Sequence, residues 1–147
     1  HIRDLFVEYQ KWLDVDLCFQ GFDKEIATLP GAYGPPAGRL LLARDGGAIA
    51  GGVGFRPLSP GTCEMKRLYV RPPWRGRGLG RRLAQAVIDD AAAAGYGRMC
   101  LDTLPRLEAA IGLYRSLGFV DTQAYYENPL DGVTYMALSL EPYTSEH

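Results

Sequence analysis

The chain has 147 residues, 47% of them hydrophobic and 22% charged, with a formal net charge of −1. That length suits one domain with a real core, and the near-zero charge excludes a global field that would draw the chain onto nucleic acid or an anionic membrane. Its three cysteines offer no CxxC pair and no metal-ligand spacing, and no apolar run reaches the length of a bilayer span, so the expected setting is a reducing cytoplasm with no disulfide framework, no metal and no membrane.

No leader pattern is visible at the start of the chain. Ile2, Leu5, Phe6, Tyr9, Trp12 and Leu13 recur at helical spacing and predict an amphipathic helix over residues 2–13. Phe22, Ile26 and Leu29 predict a shorter second helix ending near Pro30. Residues 30–38 hold three prolines and three glycines and read as a loop, one that either lines a site or simply connects. Residues 40–43 form a short apolar strand. Asp45-Gly46 is a hairpin signal, and residues 48–56 are a glycine-rich return strand. Residues 57–61 make the next turn, and residues 62–70 a third strand that Pro72-Pro73 cannot extend. By alternation Glu64 shares a face of that strand with Lys66, Leu68 and Val70.

Gly80, Leu83, Ala84, Val87, Ile88 and Ala91 form a wide apolar stripe along a helix over residues 78–94, stopped by Gly95. Residues 98–102 are a strand. Leu107, Ala110, Ile111, Tyr114 and Leu117 are the packed face of another helix, opened by Pro105 and closed by Gly118. Residues 119–125 and 133–140 predict the last strands, around a loop at 127–132. The order is ααβββαβαββ, an α/β chain of the α+β kind with a mixed, mostly antiparallel sheet flanked by helices, in a single domain over residues 1–147.

The stretch Arg75-Gly76-Arg77-Gly78-Leu79-Gly80 lies between the third strand and the long helix. Arg67, Arg71, Arg75, Arg77, Arg81 and Arg82 concentrate positive charge around it. Glycines at a strand-to-helix turn expose backbone N–H groups, and the helix dipole favours an anion there. No Lys-Ser or Lys-Thr follows, so the P-loop pattern fails, and the third glycine of a dinucleotide fingerprint is replaced by Arg81. Arg75, Gly78 and Gly80 instead satisfy [RQ]xxGx[GA], directly after Leu68-Tyr69-Val70-Arg71-Pro72.

The stretch EMKRLYVRPPWRGRGLGRRL, from Glu64 to Leu83, resembles the acyl-CoA-binding signature of the GNAT N-acetyltransferase superfamily. The stretch AIGLYRSLGF, from Ala110 to Phe119, resembles its second signature. The resemblance implies a GNAT-like fold and acetyl-CoA as co-substrate. It implies that the backbone of Arg75, Gly76, Arg77, Gly78, Leu79 and Gly80 wraps the CoA pyrophosphate, with Arg81 or Arg82 adding charge. It implies that Leu68, Tyr69 and Val70 pair with the pantetheine arm where the sheet splays open, and that their backbone stabilises the oxyanion. Tyr114 stands where relatives carry the tyrosine that protonates the departing thiolate; in any other context it would read as packing. Glu64 stands where some relatives place a catalytic glutamate working through a water, and its plainer reading is an ion pair with Lys66 or an arginine. Asp102 is a second acid candidate, or else a cap for the following helix. The family's asparagine seven residues before the tyrosine is here Leu107, and Thr103 or a backbone group is its candidate replacement.

The acceptor end is least specified. Tyr33, Tyr126 and Glu127 could receive an ammonium by cation–π and charge contacts, though a structural role is the plainer reading of each. The expected activity is acetyl transfer to a primary amine of a small molecule by direct attack on the thioester. The alternatives are a protein or peptide N-acetyltransferase and a non-catalytic acyl-CoA sensor. RNA binding through Arg-Gly-Arg-Gly is disfavoured by the net charge and the lack of further repeats. A homodimer is compatible with the resemblance.

Overall fold

The computed structural model describes residues 2–13, 31–34, 37–104, 107–125 and 133–140. Helix α1 is Ile2–Leu13, and a 3-10 turn covers Gly31–Tyr33. Strands β1 (Arg39–Asp45), β2 (Ala48–Ser59) and β3 (Thr62–Val70) form an antiparallel meander. A second 3-10 turn at Pro72–Trp74 leads through the glycine stretch into α2 (Leu79–Ala93). Then come β4 (Arg98–Thr103), α3 (Glu108–Ser116), β5 (Val120–Asp121) and β6 (Thr134–Ser139). The six strands lie in the order β1-β2-β3-β4-β6-β5, with β3 and β4 the parallel pair. This is the expected element order; the second helix predicted near Phe22 lies outside the described residues, as do Tyr126 and Glu127.

The strand expected over residues 119–125 forms only at Val120–Asp121. Thr122 N–H still donates to the Tyr135 carbonyl at 2.8 Å. Beyond it the chain leaves the ladder, and the Tyr125 hydroxyl reaches across to Glu64 Oε2 at 2.6 Å.

Two layers cover the sheet. Leu83, Ala84, Val87, Ile88 and Ala91 of α2 pack on Val53, Phe55, Cys63, Met65, Met99 and Leu101. On the opposite face Leu5 of α1 packs on Ile49 and Tyr69, and the Phe6 ring meets Tyr33 edge-on at 6.0 Å. Leu5 and Phe6 are fully buried, a gain of roughly 1.5–3 kcal/mol each. The glycines of β2 let this layer approach: a Cβ on Gly52 would stand 2.7 Å from Leu5 Cδ2. Tyr33, a candidate acceptor contact in the sequence, is instead 1% exposed and belongs to this packing. Gly54 makes the room for it, because a Cβ there would come within 2.8 Å of its ring.

Two irregularities in β3 create the site. Gly52 pairs with Tyr69 but Gly54 pairs with Lys66, so β3 carries one extra residue there. Arg67 takes it up at φ 62°, the signature of a β-bulge. The bulge reverses the alternation. Cys63 and Met65 face α2 before it, and Leu68 and Val70 pack against the same core after it. Glu64 and Lys66 therefore do not share a face with Leu68 and Val70, contrary to the alternation expected from the sequence. They lie on the α1 side with Tyr69. The second irregularity is the β3–β4 ladder, which pairs only Thr62, Glu64 and the residue between them with Arg98, Cys100 and theirs. Past those positions the two strands part.

Candidate active site

The parted strands enclose a cleft of about 210 Å³. Leu68, Tyr69 and Val70 form one wall, Asp102 and Thr103 of β4 the other, and Leu107, Ala110 and Tyr114 of the α3 segment close the side. Tyr9 of α1, Arg75 and Gly80 complete the lining. All three predicted pantetheine-arm residues thus line one cleft with the predicted acid Tyr114. Leu107 and Thr103 line it as well, so the position where relatives carry asparagine faces the cleft with an apolar side chain.

The glycine turn stands at the mouth. Gly76 and Gly78 both have φ 78°, a left-handed conformation that costs a side-chain-bearing residue roughly 1–2 kcal/mol. Gly78 is the N-cap of α2, with no side-chain capping bond and no acidic residue in the first turn. The first N–H groups of a helix have no partner within it, so this end presents uncapped donors and a positive dipole to whatever lies beyond. Arg75 closes back on the strand: its Nε donates to the Val70 carbonyl at 2.9 Å, and its guanidinium lies 5.5 Å from the centre of the Tyr69 ring. Arg81 donates to Ser116 Oγ at 2.6 Å and ties α2 to α3. Arg77, Leu79 and Arg82 point to the other side of the turn, into a separate cavity.

Tyr114 is 8% exposed and its ring meets Phe119 edge-on at 5.8 Å. Burial raises its pKa well above the ordinary 10.0, and the neighbouring Tyr9 and Asp102 push in the same direction. Its hydroxyl is therefore a proton donor throughout the neutral range.

Glu64 acquires the partners its plainer reading anticipated. Arg56 Nε lies 3.3 Å from Oε1, and Lys66 Nζ lies 3.6 Å from Oε2, which also accepts from Tyr125. Lys66 reaches on to Asp102 Oδ1 at 3.8 Å. Glu64 and Lys66 side chains are only 3% and 4% exposed. Desolvation holds the Lys66 pKa below its ordinary 10.5, against the attraction of the two carboxylates. Among the described residues, Asp102 is the carboxylate that lines the cleft beside Tyr114. The parallel placement of β4 beside β3 brings this second acid candidate there.

On the α1 side of the sheet, Thr62, Arg98, Cys100, Thr122, Gln123 and Tyr125 help to line a wider cavity of about 800 Å³. Tyr125 connects it to the Glu64 cluster. Burial and the adjacent Cys100 push the Cys63 thiol up to about 12. Cys100 is raised too, chiefly by burial. Neither is a thiolate at neutral pH, so neither is a nucleophile. Among the described residues no cluster of three or more metal-ligating side chains occurs, and no helix is long and apolar enough to cross a membrane.

The model of the Acetyltransferase (GNAT) family matches residues 3–119. The chain belongs to that family. An uncharacterized N-acetyltransferase of Schizosaccharomyces pombe is 46% identical over 138 residues, covering 92% of this chain and 85% of the relative. Another, from Escherichia coli, is 32% identical, covering 80% of this chain and 71% of the relative. Among solved structures, an acetyltransferase of Streptococcus agalactiae superposes with a TM-score of 0.78 at 20% identity over 94% of this chain and 91% of its own, a likeness of fold. The Salmonella typhimurium protein yncA, described as a candidate acetyltransferase and solved with its cofactor acetyl-CoA, is 28% identical with a TM-score of 0.61, covering 72% of this chain and 66% of its own. This GNAT domain is an acetyl-CoA-dependent N-acetyltransferase. Its residues fit that co-substrate on their own chemistry: an uncapped helix N-terminus for a pyrophosphate, a strand edge released from its ladder for an amide-bearing arm, and a cleft between them.

Proposed function

We propose that the enzyme transfers acetyl from acetyl-CoA to a primary amine of a small molecule, by direct attack within a ternary complex. The carrying observation is that the uncapped α2 terminus, the unpaired end of β3 and the protonated Tyr114 meet at one cleft. Acetyl-CoA supplies the activated thioester. The N–H groups of Gly76 through Gly80 hold its pyrophosphate, and the backbone of Leu68, Tyr69 and Val70 aligns the pantetheine amides. The same strand backbone stabilises the developing oxyanion. The Tyr114 hydroxyl gives its proton to the sulfur as the C–S bond breaks.

The acceptor amine must lose a proton to attack. Asp102 faces the cleft, and Lys66 bridges it to Glu64. We assign proton removal to this chain of groups, with Asp102 its cleft-facing end and Glu64 its buried one. The raised thiol pKa values of Cys63 and Cys100 favour direct attack over an acyl-enzyme. Their free, buried state suits a cytoplasmic setting. The cavity beside Tyr125, with Thr62, Arg98 and Gln123 on its walls, suits a polar small molecule entering from the α1 side.

A peptide acceptor is the second reading, because the N-alpha-acetyltransferase RimI of Mycobacterium tuberculosis is 34% identical over 67% of this chain and 58% of its own. Thiol release from acetyl-CoA over a panel of amino acids, polyamines, aminoglycosides and peptides tests both. Release with one small-amine class is the expected result. Release with peptides alone transfers the assignment to the second reading, and tight acetyl-CoA binding without turnover on any amine overturns both.

A further inference from the structure

The cavity of about 800 Å³ beside Tyr125 carries a positive charge that its own walls leave unanswered. Among its described lining residues Arg98 is the cation and Asp121 the carboxylate. Asp121 is engaged outside the cavity, since Arg115 Nη2 lies 3.1 Å from its Oδ1. Arg98 has a neutral partner instead: its Nη2 donates to Thr122 Oγ1 at 3.0 Å, and it forms no ion pair among the described residues. Cys100, two residues along β4 on the same wall, adds no negative charge, because burial holds its thiol above the ordinary range. The hydroxyls of Thr62 and Thr122 and the amide of Gln123 are further neutral donors there. The chain builds this wall by ending β5 early. After Asp121 it leaves the ladder, so that residues 122–125 line the cavity in succession rather than alternating across a strand. The last of them, Tyr125, bonds to Glu64 and so joins the wall to the groups assigned to proton removal.

We propose that the acceptor is an amino acid, an amine whose molecule also carries a carboxylate, and that Arg98 receives that carboxylate. The inference rests on the small-amine reading above and narrows it. A guanidinium matches a carboxylate in shape and makes charge-assisted bonds to it, and the Thr122 bond holds this one in place against the wall. One cation among neutral donors suits one negative charge. A phosphate dianion would leave its second charge in the cavity without a counter-charge. The same residue also rejects. A plain amine or polyamine is a cation near neutral pH and meets Arg98 as a like charge, so the carboxylate both adds an attraction and cancels a repulsion. The amine end of the amino acid is drawn the other way, toward Asp102, the carboxylate of the cleft.

Thiol-release kinetics of the full chain at saturating acetyl-CoA test this with acceptors in matched pairs, each amino acid beside the amine left when its carboxyl group is removed: 4-aminobutyrate with propylamine, leucine with isopentylamine, lysine with cadaverine. In the pair that is turned over best, the amino acid should have a KM at least about tenfold lower than its partner, as expected for charge-assisted hydrogen bonds. In Arg98→Gln, whose altered side chain is exposed in the wild type, that advantage should fall to about twofold or less. Turnover of both members of a pair with equal KM in the wild type overturns the inference and leaves the small-amine reading intact. So does turnover of the plain amines alone. A carboxylate preference that survives in Arg98→Gln overturns the assignment to Arg98. Turnover of peptides alone, or of no amine at all, overturns the small-amine reading and the inference together.

Discussion

Replacing Tyr114 by phenylalanine separates chemistry from binding in this enzyme. The substitution keeps the ring that packs on Phe119 and removes one hydroxyl from the cleft wall. Stability should change by no more than one ordinary hydrogen bond, about 0.5–1.5 kcal/mol. The pyrophosphate and pantetheine contacts proposed above come from the glycine turn and the β3 backbone, so CoA affinity should move by less than about threefold. Turnover should fall by about 100-fold or more, the usual worth of a positioned general acid. Because burial, Tyr9 and Asp102 raise the Tyr114 pKa, the wild-type hydroxyl stays protonated into alkaline solution. Its kcat should therefore show no descending limb due to this group below about pH 10. The measurements are thiol-release kinetics across pH and calorimetric binding of CoA to both proteins. A kcat loss smaller than about tenfold, or a CoA affinity that drops in step with kcat, would refute the role of Tyr114 as the acid.

Asp102→Asn should lower kcat/KM by about 100-fold, whereas Glu64→Gln should lower it by less than about tenfold; the reverse pattern would make Glu64 the terminal base. Gly78→Ala forces a side chain into φ 78°. It should cost roughly 1–2 kcal/mol by urea unfolding and raise the KM for acetyl-CoA with kcat little changed; unaltered KM would mean the turn does not hold the pyrophosphate. Lys66→Met leaves buried Glu64 and Asp102 without the cation between them, at a cost of about 3–5 kcal/mol by urea unfolding. A loss under about 1 kcal/mol would show that the ion pairs are dispensable. The sign of the pH effect also follows. Folded Lys66 has a pKa below its ordinary 10.5, so between the two values the unfolded chain binds the extra proton. Lys66's own contribution to stability therefore rises with pH in that window, and the wild type should gain on Lys66→Met as the pH climbs toward the ordinary 10.5. A shrinking difference would contradict the lowered pKa.

Much of the fold was legible because its signals are local. The stripe Leu83, Ala84, Val87, Ile88 and Ala91 is the face that α2 buries. The glycine turn and the Tyr114 helix declared themselves by motif, and they do meet at one cleft. What stayed illegible arises between elements. Arg67 sits at positive φ without being glycine or asparagine, so nothing in the sequence announces the bulge. Strict alternation then assigns Glu64 to the wrong face. Tyr33 sits in a proline- and glycine-rich stretch that reads as exposed. Its burial depends on the missing Cβ of Gly54, more than twenty residues away. Asp102 read as a second acid or as a helix cap, and the sequence did not decide between them. Its proximity to Lys66 and Tyr114 exists only because a helical crossover lays β4 parallel to β3.

The short β3–β4 ladder divides one sheet into two half-sheets joined at three residue pairs. Each half has its own antiparallel partners, so the seam between them is a weak line across the middle of the sheet. A pantetheine arm lying along β3 would act there as a missing length of strand, contributing hydrogen bonds that the polypeptide itself does not supply. Folding stability is then coupled to metabolite supply: at a free acetyl-CoA concentration 100 times its Kd, mass action alone adds about 2.7 kcal/mol. The chain in a cell starved of acetyl-CoA is thus a less durable protein than the same chain in a replete one, with the difference concentrated at amides of β3 and β4 and visible there as faster hydrogen exchange.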